Sequence, residues 1–278
     1  MNRRPPPPAR VEILDCPVDV VTMDEAVARC EQAIESGSYL QHMSLNAVKF
    51  VAMDDDPGMR SLVRDCDLIT ADGQSVVWAA RLLGAKLPER VAGIDLMTRL
   101  LEAADEKGYG VYVLGARHQV LDTALARLLE RYPRLNIAGS RDGYFADDET
   151  AEVCAEIRAS GADILFVAMS SPRKERFLGQ GGDALGVSFA MGVGGAIDVI
   201  AGVAHRAPRA LQRAGLEWAY RLVQEPRRLA RRYARVNSRF VWLVLRALVT
   251  RRGSAVACPA PAEPPASGAR TAPPGRPD

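Results

Sequence analysis

The chain has 278 residues, 36 basic against 34 acidic side chains and 48% apolar residues, which places it among soluble globular proteins with ample material for a core. No run of about eighteen apolar residues occurs, so a membrane-spanning helix is not expected; the nearest stretch, residues 240–249, is short and carries Arg246. Cysteines 16, 30, 66, 154 and 258 are odd in number and form no Cys-x-x-Cys pair, which suits a reducing compartment and argues against a disulfide scaffold.

The first residues, Met-Asn-Arg-Arg and four prolines, lack the apolar core of a signal peptide, so residues 1–10 are expected to be a disordered leader. Residues 11–14 and 18–21 read as two short strands of a hairpin meeting at Cys16-Pro17. Thr22-Met-Asp-Glu25 is a capping box opening a helix through Ile34, and Gly37 closes it. Residues 40–45 form the next strand, ending in Ser44-Leu45-Asn46 before a helix with Val48, Val51 and Ala52. Asn46 either caps that helix or hydrogen-bonds a ligand. Two Asp-x-Asp sequences follow, within Asp54-Asp55-Asp56 and in Asp65-Cys66-Asp67, a spacing that can hold a divalent cation. Both read as structural: the first stops one helix and caps the next before Pro57, and the second precedes a strand instead of ending one.

Residues 67–71 read as a buried strand, Ala71-Asp72-Gly73 as a tight turn and residues 74–83 as a helix ended by Gly84. In an α/β sheet such a turn lies at the carboxyl edge, where ligands bind. Asp72 would there either take a proton from a hydroxyl nucleophile or cap the helix through its carboxylate.

Further along, helices are expected at 95–107, closed by Gly108, at 120–131, from Asp147 onward and at 173–178. Strands are expected at 110–114, 135–138, 163–169 and 187–191, with residues 141–145 as a loop. The last strand runs into Gly192-Val-Gly-Gly195, where Gly194 and Gly195 permit either a pyrophosphate cradle or a simple tight turn. Strand and helix thus alternate from about residue 40 to 200. The expected fold is α/β and Rossmann-like, a mostly parallel doubly wound sheet with a small N-terminal hairpin and a C-terminal helical appendage.

The near-zero net charge conceals an asymmetry. Thirteen arginines lie between His205 and Arg252 against Glu217 and Glu225 alone, interleaved with Trp218, Tyr220, Tyr233, Phe240 and Trp242. Such a basic amphipathic unit suits an anionic membrane surface, nucleic acid or a phosphorylated substrate, and less readily a merely solvated face. The division expected is a core at 11–204, the appendage at 205–252 and a disordered Pro/Ala-rich tail at 253–278. Zinc chemistry has no support, since His42, His118 and His205 stand apart from any cysteine at ligand spacing. Gly-x-Ser-x-Gly, Gly-x-Gly-x-x-Gly and P-loop sequences are all missing.

Several blocks then combine: Leu45-Asn46, Ala71-Asp72-Gly73, Arg90-Val-Ala-Gly-Ile-Asp95, Val113-Leu-Gly115, Gly143-Tyr-Phe145, Pro172-Arg-Lys-Glu175, Gly192-Val-Gly-Gly195 with Asp198, Arg206-Ala-Pro208, and Gly215-Leu-Glu-Trp-Ala-Tyr-Arg221 continuing to Arg228. In order and spacing they resemble the WecG/TagA/CpsF glycosyltransferases (family 26) over roughly residues 13–249. The resemblance implies an inverting, metal-independent enzyme without cofactor. Such an enzyme moves an N-acetylmannosamine-, mannosaminuronate- or glucose-type sugar from a UDP-sugar to a saccharide on a polyprenyl diphosphate, in cell-surface or exopolysaccharide synthesis. It implies Asp72 as catalytic base, and Ser44, Asn46, Arg90 and Asp95 near the donor. It also implies an appendage that docks on the anionic inner face of the cell membrane, with Arg221, Arg228 and Arg231 meeting diphosphates. Nucleic acid is not an expected partner, and a homo-oligomer stays open. Two departures stand out. Lys174 occupies a position where the family usually has glutamine, and a cation there favours phosphate or an acidic sugar, or alters activity. Ser44 replaces threonine and keeps its hydroxyl. Rival readings are an inactive membrane-docking homologue and a nucleic-acid-binding α/β protein.

Overall fold

A computed structural model describes residues 8–213, 215–224, 226–250 and 257–258. The chain opens with β1 (Arg10–Ile13) and β2 (Cys16–Asp19), paired antiparallel from Arg10↔Asp19 to Ile13↔Cys16. The turn lies at Leu14-Asp15, both at positive φ (52° and 57°), two residues before the expected Cys16-Pro17. Pro17 instead sits within β2, an outer strand of its small sheet, where a missing N–H is tolerated. Arg10, expected at the end of a leader, is buried. Its guanidinium pairs with Asp19 at 2.7 Å and donates to the carbonyls of Cys66 and Asp67, docking the hairpin on the chain that enters the main sheet. Residues 1–7 of the expected leader, and the expected tail apart from 257–258, lie outside the described residues. Ala257–Cys258 pair with β1.

The main sheet has six parallel strands: β3 (Leu40–Leu45), β4 (Leu68–Ala71), β5 (Gly110–Gly115), β6 (Asn136–Arg141), β7 (Ile164–Ala168) and β8 (Phe189–Gly192), in the order β4-β3-β8-β7-β5-β6. The helices are α1 (Met23–Ser36), α2 (Ala47–Asp55), α3 (Pro57–Arg64), α4 (Gln74–Leu82), α5 (Gly93–Lys107), α6 (His118–Arg131), α7 (Thr150–Ala159), α8 (Arg173–Gly181), α9 (Ala196–Ile200), α10 (Arg209–Arg213), α11 (Glu217–Gln224) and α12 (Pro226–Thr250). The α/β architecture with hairpin and helical C-terminal region is the one expected. Capping follows the sequence: Thr22 and Glu25 close a reciprocal box, and Asp56 caps α3 with Pro57 at its first position. Among the boundaries that differ are those of β6 and α5. β6 extends to Arg141 because Val113 and Leu114 pair with Ser140 and Arg141, a ladder that the polar Gly-Ser-Arg sequence does not announce. α5 begins at Gly93, two residues before the expected Asp95.

Alternate strand residues face opposite cores. Leu40, Phe189 and Met191 point toward α1, α5, α6 and α9, whereas Met43, Leu45 and Ala190 point toward α2, α3, α7 and α8. The chain therefore leaves β3 through α2 on one face and the adjacent β8 through α9 on the other. Where neighbouring strands part in this way, a crevice opens at their carboxyl ends. The long α12 closes one side of it. Phe240, Val244 and Ala247 enter the same core as α2, with the rings of Phe50 and Phe240 5.7 Å apart, and Arg239 pairs with Asp54 at 2.5 Å. Among the described residues no helix is long and apolar enough to cross a membrane.

Candidate active site

A cavity of about 750 Å³ occupies the β3/β8 crevice. Its floor begins with Ser44 and Asn46 at the end of β3. Asn46 accepts from the Lys49 N–H as the cap of α2, the first of its two expected roles, and also lines the cavity. Ser44 Oγ is buried without a hydrogen-bond partner. Opposite it stands Gly93, where a Cβ would lie 2.6 Å from that oxygen, so a glycine is required for α5 to start against β3.

Asp72 lies on the cavity wall at the end of β4. Its N–H donates to the Leu45 carbonyl at 2.8 Å and that of Gly73 to the same oxygen at 3.3 Å, tying the turn to the neighbouring strand. The N-cap position of α4 is taken by Gly73, so Asp72 stands one residue before it. Asp72 is partly buried, and its charge helps raise the pKa of Arg206.

Lys174, in the first turn of α8, is buried with its stem across Gly192, where a Cβ would meet Lys174 Cδ at 2.8 Å. Its ammonium lies 3.1 Å from Glu175 Oε1, and Lys49 reaches the same oxygen at 3.3 Å. Two buried lysines thus share one buried carboxylate. Burial alone would raise the Glu175 pKa, yet the two ammonium groups hold it below the usual carboxylate range. Burial lowers that of Lys49, and Glu175 offsets this while Lys174 adds to it. Lys49 escapes a reading of the sequence, whose only hint is a lysine in the apolar stretch after Asn46; Glu175 is legible only as the end of the Pro172–Glu175 block, without the pairing that the structure gives it.

At the mouth, Arg90 lies 3.4 Å from Glu217 and 3.9 Å from Asp95. Asp95 does not line the cavity. It takes Arg206 in a two-point ion pair at 2.5 and 2.8 Å, which raises the arginine's pKa, and Arg206 Nε lies 3.8 Å from Glu217. Arg206 and Glu217 belong to the appendage, so this network fastens it to the core beside Asp72. Gly194, at φ 52°, and Gly195 line the cavity at the end of β8.

Of the predicted appendage arginines, Arg221 lies on α11 and Arg228 on α12, and their side chains are outside the described residues. Arg231 is exposed and off the wall, whereas the adjacent Arg232 lines it. The Asp-x-Asp sequences have structural roles, Asp56 as a cap and Asp67 accepting from the Gln41 N–H. Among the described residues no three His, Cys, Asp or Glu side chains gather as a metal-binding group. His42 is buried on β3 against Thr70 Oγ1, and burial pushes its pKa down to about 3, so it remains a neutral structural residue.

A carboxylate at the rim, cations behind it and a polar floor form an arrangement able to activate a hydroxyl near an anionic leaving group. The profile described as the glycosyl transferase WecG/TagA/CpsF family matches residues 11–254, taking in hairpin, sheet and appendage together. The chain belongs to the WecG/TagA/CpsF glycosyltransferase family. For this glycosyltransferase, membership implies a nucleotide-sugar donor, a lipid-linked acceptor and a part in cell-surface polysaccharide synthesis. The cavity of this WecG/TagA/CpsF member joins Asp72 and Arg90, 18 residues apart in the sequence, to the remote Lys174.

Proposed function

We propose that the chain is an inverting, metal-independent hexosyl- or N-acetylhexosaminyltransferase. It moves an N-acetylmannosamine-, mannosaminuronate- or glucose-type sugar from a UDP-sugar to a polyprenyl-diphosphate-linked saccharide. Asp72 takes the proton of the acceptor hydroxyl as that oxygen attacks the anomeric carbon; the bond to UDP breaks on the opposite face, and the pair of electrons leaves with the diphosphate. Arg90, Lys174 and the appendage arginines 221 and 228 meet the charge on the departing UDP, with Ser44, Asn46, Gly194 and Gly195 against the donor; Arg231, which lies off the wall, has no part in it. Asp95 acts by holding Arg206. The observation that carries this reading is the fixed Asp72 turn, bonded twice to Leu45, opening on a cavity with Arg90 and buried Lys174.

The appendage places the enzyme on the inner face of the cell membrane. Trp218, Val223, Trp242 and Val249 are exposed there, and the guanidinium groups of Arg239 and Arg246 lie 4.9 and 5.3 Å from the Trp242 ring. Arginine beside exposed aromatic and aliphatic groups matches an anionic lipid interface.

The test is UDP release from a panel of UDP-sugars with a polyprenyl-diphosphate-linked saccharide in the presence of EDTA, comparing the native chain with Asp72→Asn. Release that persists in EDTA, inverts the anomeric centre and collapses in the variant is expected. Failure of every UDP-sugar both to bind and to release UDP would overturn the proposal.

A further inference from the structure

Along one stretch, its helical limb, the cavity that holds Asp72 is lined by α4 and α12, and on both helices the lining changes from polar to apolar along the chain. On α4 the lining passes from Gln74, next to the Asp72 turn, through Trp78 to Leu82; on α12 it passes from Arg232 to Leu245. The α12 stretch alone is about 20 Å long at the helical rise of 1.5 Å per residue. Leu82 is 64% exposed and Leu245 54%, so these leucines line the wall without being covered by the protein. Apolar side chains left uncovered on the wall of a shaped cavity mark a site for an apolar ligand.

We infer that this limb binds the first part of the acceptor's hydrocarbon chain, an inference that rests on the acceptor named in the proposed reaction. One cavity lined by Arg90, Arg232 and Lys174 and also by uncovered leucines fits a ligand that is anionic in one part and hydrocarbon in another. A sugar nucleotide alone has no part that would cover Leu82 and Leu245. With the chain seated between α4 and α12, the diphosphate lies at these cations and the saccharide hydroxyl reaches Asp72. The limb thus orients the acceptor as well as retaining it.

The test is calorimetric titration of the full chain, without detergent and below the micelle concentration, with n-decyl diphosphate and with methyl diphosphate. Each buried methylene strengthens binding by about fourfold, so even a partly seated decyl chain is expected to bind at least about tenfold more tightly than the methyl compound. Leu82→Glu and Leu245→Glu, both at exposed positions and checked for folding by thermal melting, are expected to remove most of that preference while binding methyl diphosphate as before. Val223→Glu, 80% exposed and off the wall, is expected to keep the preference. Equal binding of the two diphosphates would overturn the inference. So would loss of the preference in Val223→Glu as full as in Leu245→Glu. Decyl phosphocholine binding as tightly as decyl diphosphate would also overturn it, making the limb a membrane-lipid contact. Because the readout is binding, a chain preference without any UDP release would sink the enzymatic proposal alone, and UDP release without a chain preference would sink this inference alone.

Discussion

The wall of the cavity given by the sheet and the wall given by α11 and α12 face the same space but are anchored by different forces. Ser44, Asn46 and Asp72 stand at strand ends whose positions are fixed by the β3/β4 and β3/β8 ladders and by the bonds from Asp72 and Gly73 to Leu45. The appendage wall is held by the Arg90–Asp95–Arg206–Glu217 network and by the seam of Phe240, Val244 and Ala247 against α2. Ladder hydrogen bonds and strand burial set a side chain to within fractions of an ångström, whereas ion pairs near solvent hold a segment more loosely. The proposed proton transfer falls on the first kind of wall, and the proposed admission of a bulky lipid-linked substrate on the second.

The largest effect that would sharpen this contrast is that of Asp72→Asn, which removes the proposed base and keeps the backbone bonds of the turn. Turnover is expected to fall by roughly 10²- to 10⁴-fold with little change in melting temperature. A variant that stays active would break the assignment of chemistry to the sheet wall. Next comes Glu175→Gln, which leaves Lys49 and Lys174 buried without their shared carboxylate. Denaturant unfolding should show a loss of about 3–5 kcal/mol, as when one partner of a buried pair is removed. Lys49→Met is the counterpart: Lys174 still neutralises Glu175, so stability should change far less, and a loss as large as that of Glu175→Gln would mean that the two lysines are not equivalent partners.

On the appendage side, Arg206→Ala removes a two-point ion pair whose side chains are largely but not wholly covered. The expected loss is about 1–3 kcal/mol, felt locally. Limited proteolysis should therefore cut faster within residues 205–252 while the core melts as before; slower or unchanged cutting would show that the apolar seam alone holds the appendage. The smallest effect is expected from Asp54→Asn, which breaks the exposed pair with Arg239. No shift in melting temperature should be measurable, since an exposed ion pair is screened by water and salt.

What the sequence by itself determined is local or periodic. Strand and helix alternation fixed the α/β class, because a buried strand must be apolar throughout and a packed helix must repeat its apolar residues every three to four positions. Caps at Thr22, Asn46 and Asp56 were legible because capping satisfies N–H groups within a turn of the residue that supplies the oxygen. The resemblance carried by Asp72-Gly73, Arg90–Asp95 and the Pro172–Glu175 block pointed to the family, which the profile match then established. Only the tertiary structure decided what depends on partners remote in the chain. It gave Asp95 to Arg206, 111 residues away, in place of a position on the cavity wall. It turned Arg10 from leader into the buried partner of Asp19, and it set Lys49 and Lys174 on one carboxylate. The strand order that parts β3 from β8, and with it the placing of the cavity, likewise follows from ladder pairing between segments about 150 residues apart, a free energy that no local pattern of side chains records.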